Sequence, residues 1–218
     1  MNVKMKITAA ILPVMMLAVA VTSRAAVTVD SDNCTVTAIA ADGRRVTVRA
    51  VDDFIIHVTN TAPGETAAVT QAVVMPRNKC EGTLSLGPES AVMTLPSGLT
   101  ATVDAESGAV VFGAESGILL SDDGMRETAG NERVLTLVPG MPGRFYGAGE
   151  RGHSLALDGD TLVMYNRQNY GYTEGDPRIS QMNICVPMFV SSQGYGVFFD
   201  DYAAARLTLG DTITYSTE

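Results

Sequence analysis

The sequence predicts an all-β protein, a β-sandwich of mostly antiparallel strands, and three observations carry that expectation. Beyond residue 25, short segments rich in Val, Ile, Thr and Ala alternate apolar with polar residues, the period of a half-buried strand. Turn chemistry separates them at short intervals: Ala41-Asp42-Gly43, Pro63-Gly64, Pro96-Ser97-Gly98, Glu106-Ser107-Gly108, Asp122-Asp123-Gly124 and Asp158-Gly159 all tolerate positive φ. Few stretches keep the 3.6-residue period of a helix.

In chain order, residues 1–25 read as a signal peptide. Lys4 and Lys6 precede the apolar run Ile7 to Val21, and Ser23-Arg24-Ala25 offers small residues at the cleavage point. The run is about 15 residues, short of the roughly 20 that a spanning helix needs, so it is expected to be removed, leaving an exported, periplasmic or secreted product with no membrane segment. Cys34 lies too far beyond the cleavage point for a lipid anchor. Residues 26–218 are enough for one domain that buries roughly 70% of its unfolded surface.

The expected strands are Thr35 to Ala40, Arg45 to Ala50, Asp53 to Thr59, Ala67 to Val74, Ala91 to Leu95, Thr100 to Asp104 and Ala109 to Phe112. After these come Arg133 to Val138, Thr161 to Tyr165, Val186 to Ser191, Gly196 to Asp200 and Ala205 to Leu209. The polar run Asp122 to Glu132 is the expected mobile excursion. No repeat of fixed period and no low-complexity linker divides the mature chain.

Charge and cysteine count exclude some functions. A formal charge of −9 with no Lys/Arg cluster gives no electrostatic basis for gripping nucleic acid or anionic lipid. Cys34, Cys80 and Cys185 allow at most one internal disulfide, and Cys34 with Cys80 is the expected pair. Cys185, within Ile184-Cys185-Val186, reads as a buried small hydrophobe rather than a reactive thiol. With only His57 and His153 besides, no spacing suggests a metal site, and no cofactor is expected. Asn33-Cys34-Thr35 matches the N-glycosylation pattern, which has meaning only in a eukaryotic secretory pathway.

The stretch FYGAGERGHSLALDGD places Gly147, Gly149 and Gly152 in the spacing of a dinucleotide-binding turn. Such a turn must open a helix whose N-terminus faces the pyrophosphate. Here the chain turns again at Asp158-Gly159 before a helix could form, so the glycines are expected to serve a tight backbone turn instead.

Phe145-Tyr146-Gly147-Ala148-Gly149-Glu150, Met164-Tyr165-Asn166-Arg167, Val186-Pro187-Met188-Phe189 and Gly194-Tyr195-Gly196-Val197-Phe198-Phe199-Asp200, in that order, resemble the N-terminal domain of glycoside hydrolase family 31, which includes α-glucosidases and α-xylosidases. RRVTVRAVDDFIIHVTNT and AVMTLPSGLTATVDAESGAVVFGAESGILLSDD resemble earlier strands of that domain. The resemblance covers roughly residues 27 to 218. It implies a galactose-mutarotase-like sandwich, followed in the family by a C-terminal (β/α)₈ barrel that carries both catalytic Asp residues. That barrel and its Asp pair are not in this chain, so no catalytic residue is expected here, and the barrel of a longer polypeptide is the expected partner.

The candidate site is the loop from Asn166 to Met182, NRQNYGYTEGDPRISQM, longer than a hairpin needs. Asn166, Arg167, Gln168 and Asn169 supply hydrogen-bonding groups for sugar hydroxyls, and Tyr170 and Tyr172 supply ring faces for a pyranose of an α-linked glucan or xyloside oligosaccharide. The competing expectation is that this loop only docks on the barrel. In relatives the residue after Asn-Arg is often an Asp that touches bound sugar. Gln168 stands there in this sequence, and an amide carries no charge. Arg167 either orders the loop by pairing with a carboxylate or reaches substrate.

Of the carboxylates, Asp52 with Asp53, Asp122 with Asp123, and Asp200 with Asp201 are neighbours that a strand points to opposite faces, which ill suits two groups converging on one bond. For Glu150 the resemblance implies a structural hydrogen bond to the turn's backbone amides. Met141, Pro142 and Phe145 are expected to face the barrel, and an apolar patch left by its absence predicts poor solubility. Two other functions stand beside this one: a freestanding carbohydrate-binding module, for which the absence of Trp gives little platform, and a mutarotase-like enzyme, suggested by fold analogy alone.

Overall fold

The structure, a computed structural model, describes residues 25–69, 72, 81–127, 132–152, 154–168, 171, 173, 175–180 and 183–217. All but the last residue of the expected signal peptide lies outside them. Among the described residues, apart from one 3₁₀ turn at Pro177–Ser180, the regular structure is antiparallel strand.

Strands β1 (Ala26–Asp30), β2 (Thr35–Ile39), β3 (Arg45–Ala50) and β4 (Ile56–Thr61) form a four-stranded meander. A second sheet runs from β5 (Thr83–Leu86) through β6 (Ser90–Thr94), β7 (Thr100–Asp104), β8 (Val110–Ala114) and β9 (Gly117–Glu127) to β10 (Arg133–Pro139). After β10 the order jumps to β16 (Ile213–Thr217), then β15 (Ala205–Thr208) and β12 (Thr161–Met164), which makes nine strands. The third sheet pairs β13 (Met188–Ser191) with both β11 (Phe145–Gly147) and β14 (Gly196–Phe198).

One face of the nine-stranded sheet is largely apolar, because alternation places every second residue there. A single lateral row reads Ala91, Val103, Val110, Asp122, Leu137 and Ile213 across β6 to β16. The four-stranded sheet covers one end of this face. Val36, Ala38, Val46 and Val48 meet Ala91, Met93, Ala101 and Val103, all at most 1% exposed. The three-stranded sheet covers the other end, where Phe145, Phe189 and Phe199 pack on Leu137, Leu162, Leu207, Ile213 and Tyr215. Phe189 meets Phe145 edge-on at 5.5 Å between ring centres, and Phe199 stacks on Tyr215 at 4.1 Å. Each large apolar side chain so buried contributes about 1.5–3 kcal/mol.

Asp122 stands in that row between the two cores and is buried. This corrects two expectations. Asp122-Asp123-Gly124 is not a turn, and the polar run does not leave the fold at Asp122: it continues β9 to Glu127 along β10, while the pairing with β8 ends at Asp122. Register shifts on both partners let the long strand follow the curve of the sheet. Residues 128–131 lie outside the described residues.

Other elements differ at their edges. Ala67 to Val69 is not a strand, and Val69 is 88% exposed, so its apolar alternation finds no partner; most of the remainder of that segment lies outside the described residues. The strand expected from Asp53 begins at Ile56, because the Phe54 N–H donates to Asp52 Oδ1 at 2.8 Å and turns the chain first. β1, β5, β9, β11 and β16 are strands that the sequence did not announce. Phe145 does not face outward: it is 3% exposed and belongs to the second core.

Burial in that core, with the Asp201 carboxylate adding to it, pushes the Tyr215 phenol from its ordinary 10.0 up to about 12. The folded state thus holds this proton more tightly than the unfolded chain does. Its stabilisation is complete below the unfolded value of 10.0 and is lost as pH rises through about 12. Urea midpoints measured across that window should fall, and Tyr215→Phe should flatten the fall, leaving the smaller slope from Tyr195, which burial shifts in the same direction.

Candidate functional site

The candidate loop leaves β12 after Met164 and returns to β13 at Met188. Its two roots are held by the glycine turn. Gly147, Ala148 and Gly149 follow one another at φ of 112°, 58° and 89°, a run that only glycine adopts freely. That left-handed path aims successive N–H groups at the returning chain. Ala148 N–H donates to Met188 O at 2.7 Å, Glu150 N–H to Ile184 O at 2.8 Å and Gly152 N–H to Ile179 O at 3.0 Å. The glycines therefore serve close backbone packing: a Cβ on Gly149 would sit within 3 Å of Ile184 O, Val186 N and Cys185 Cα.

Arg151 is the residue that sequence reasoning missed. Its guanidinium, half-buried, donates from Nε to Ala148 O at 3.0 Å, from Nη1 to Ser180 O at 2.8 Å and from Nη2 to Val163 O at 3.3 Å. One planar fork thus ties the turn, the end of β12 and the far side of the loop. The signal available was an Arg inside a glycine turn, a position where backbone carbonyls face inward. Met164 Sδ and Cys185 Sγ lie against the same Nη2 at 3.4 and 3.5 Å.

Asn166 closes the root from the other side. Its Oδ1 accepts from Cys185 N–H at 2.6 Å, so one of its polar atoms is committed to the loop base. Arg167 and Gln168 follow, both exposed. Asn169, Tyr170 and Tyr172 lie outside the described residues. Asn166, Arg167 and Gln168 are consecutive, beside a rigid clasp.

The carboxylates are dispersed. Glu150 is exposed and its carboxylate makes no hydrogen bond among the described residues, so the expected bond to the turn's amides is absent; its backbone N–H ties the turn instead. Asp52 and Asp201 each hold a turn through a backbone N–H two residues on, at Phe54 and Ala203. Among the described residues no three His, Cys, Asp or Glu side chains gather as a metal site. Cys34 is disulfide-bonded, Cys185 is a free thiol at 9% exposure, and Cys80 lies outside the described residues.

The outer face of the three-stranded sheet is apolar. Met188 pairs with Phe198 and Val190 with Tyr146 across it, and Met188, Val190 and Phe198 are each 40–41% exposed. Ile184 and Val186, also exposed, lie on the approach to β13.

Two smaller sheets roofing one face of a nine-stranded sheet, with a long loop clasped at its roots, define the class: a galactose-mutarotase-like β-sandwich. Residues 45–206 match the family model described as the glycosyl hydrolase 31 N-terminal galactose mutarotase-like domain, and the chain belongs to that family. Solved structures share the fold. A GH31 dextranase of Flavobacterium johnsoniae, complexed with isomaltotriose, is 19% identical with a TM-score of 0.72 over 88% of this chain and 24% of its own. A GH31 α-xylosidase from a soil metagenome, complexed with xylose, is 17% identical with a TM-score of 0.69 over 88% of this chain and 30% of its own. The cycloalternan-forming enzyme of Listeria monocytogenes is 15% identical with a TM-score of 0.69 over 88% of this chain and 19% of its own. The chain thus spans about a fifth to a third of these proteins. No curated protein sequence matches it.

Proposed function

We propose that this chain is the recognition domain at the front of an exported retaining α-glycosidase acting on α-glucosides or α-xylosides. In this reading it is not itself catalytic. Its loop contributes sugar contacts at the mouth of an active site whose nucleophile and acid/base Asp reside on a following barrel. The observation that supports this most is the clasp: three backbone hydrogen bonds and the Arg151 fork fix the loop's roots, while Arg167 and Gln168 stay exposed next to them. Groups held on a rigid base orient a ligand at low entropic cost.

The chemistry agrees with that division of labour. A retaining glycosidase needs two carboxyl groups about 5–5.5 Å apart across the sugar. The side chains of Asp122 and Asp123 diverge from β9, one buried and one exposed, and Glu150 stands alone. Gln168 donates and accepts hydrogen bonds without charge, which suits neutral hydroxyls. The apolar outer face of β11, β13 and β14 is the surface this reading assigns to the barrel.

The coding frame beyond codon 218, checked against the intact mass of the exported protein, tests the reading first. A continuation of several hundred residues with barrel-strand Asp residues is the expected result. In that enzyme Gln168→Ala should raise KM roughly tenfold with little change in kcat, the loss of one or two hydrogen bonds to substrate. A frame ending at Glu218 would sink the enzyme reading in favour of a freestanding binding module, which titration with maltose, xyloglucan fragments and dextran examines. The 218-residue chain alone should not hydrolyse aryl α-glycosides. On size exclusion it should self-associate as concentration rises, and a clean monomer throughout would argue against the assignment of the apolar face.

A further inference from the structure

The outer face of the nine-stranded sheet, opposite both cores, carries a shallow open pocket of about 270 Å³ where β12, β15 and β16 adjoin. Its floor is a lateral row in which Val163 pairs with Arg206 and Arg206 with Ser216. Tyr165, 54% exposed, and Glu132 also line it. Arg206 is exposed and forms no hydrogen bond or ion pair among the described residues. An exposed cation with five N–H donors thus shares the pocket lining with an aromatic ring.

From this juxtaposition we infer that the pocket is a second carbohydrate subsite, taking a single pyranose unit. It rests on the glycan reading above only for the class of sugar. Glu132 and Arg206 bring opposite charges to one pocket, so an anion or a cation gains little there, while a neutral ligand with many hydroxyls meets donors and acceptors in alternation. The Tyr165 ring offers the flat apolar surface that the C–H face of a pyranose covers. The volume lies just below the range of about 300–1,000 Å³ typical of ligand pockets, which restricts the occupant to one ring. Tyr165 immediately precedes Asn166, so a glycan held at the loop passes within reach of the pocket, and two weak contacts on one chain raise the effective concentration of each.

The test is an amide chemical-shift titration of the ¹⁵N-labelled 218-residue chain with methyl α-D-glucopyranoside, with methyl α-D-xylopyranoside, and with sorbitol as an acyclic polyol of similar hydroxyl content. If the chain self-associates at the working concentration, equilibrium dialysis against the same probes replaces the titration. A saturable response to one or both glycosides and none to sorbitol is expected, centred on the amides of Val163, Arg206 and Ser216. Which glycoside responds separates a glucosyl from a xylosyl occupant. Arg206→Ala and Tyr165→Ala should each weaken it roughly tenfold. Arg206 is exposed, so its variant should keep the parent's melting midpoint, which guards against loss by misfolding. Shifts confined to residues 166–168, an equal response to sorbitol, or full binding by Arg206→Ala would each overturn the subsite. The first of these would leave the loop reading standing, and a frame that ends at Glu218 would leave the subsite standing.

Discussion

Gly149→Ala should destabilise the domain by about 3–5 kcal/mol, lowering its melting midpoint by roughly 10 °C. Two costs combine at this position. The φ of 89° is unfavourable for any residue with a Cβ, at about 1–2 kcal/mol. The added methyl would also lie 2.7 Å from Val186 N and 2.9 Å from Cys185 Cα, backbone atoms that can yield only if the returning chain moves away. Moving it would break the bond from Glu150 N–H to Ile184 O. Gly159→Ala is the matched control: its φ is 84°, but nothing lies within 4 Å of the new methyl, so only the conformational cost of about 1 kcal/mol should appear. Equal losses in the two variants would mean that crowding at the clasp is not what Gly149 relieves.

The second large effect is expected at Arg151. Truncation to Ala removes three charge-assisted hydrogen bonds and leaves the carbonyls of Ala148, Val163 and Ser180 without that donor. A loss of about 2–4 kcal/mol follows, concentrated locally: the amides of Glu150 and Cys185 should exchange faster than those of β7, which belongs to the other core. Arg151→Lys should not restore protection, because one ammonium cannot span acceptors from three separate segments. If Lys rescued both stability and exchange, the role of Arg151 would be charge alone rather than the shape of the fork.

The strands that were legible in the sequence are those whose alternation was sampled in full. β3 and β7 occupy the expected residues, and β2 differs by one at its end, because each alternates buried with half-buried or exposed positions along its length. β9 was hidden for the opposite reason: Asp122-Asp123-Gly124 looks like a turn, yet β9 runs through it, and Asp122 pairs with Val110 on one side and Leu137 on the other. β11 has three residues, too few for any period to show, and this also concealed which way Phe145 points. At the candidate site the position of the loop was legible from its length. Its anchoring was not, since Arg151 acts through carbonyls up to 29 residues away and Asn166 through an amide 19 residues away, separations that no local pattern records. The pocket around Arg206 is likewise a product of lateral register rather than of sequence spacing.

The strand order also has a consequence for how the chain assembles. From β1 to β10 each pairing joins consecutive strands, so the first core can form as its residues emerge. The second half cannot proceed that way. β16 is the last strand in sequence yet lies between β10 and β15, so β12 and β15 have no route into the large sheet until Ile213–Thr217 is present. A ribosome holding back those five residues would therefore present a folded front half and a waiting back half, with Leu137 and Leu162 uncovered. Synthesis order thus makes the second core, together with its loop and pocket, the last part of this domain to become competent.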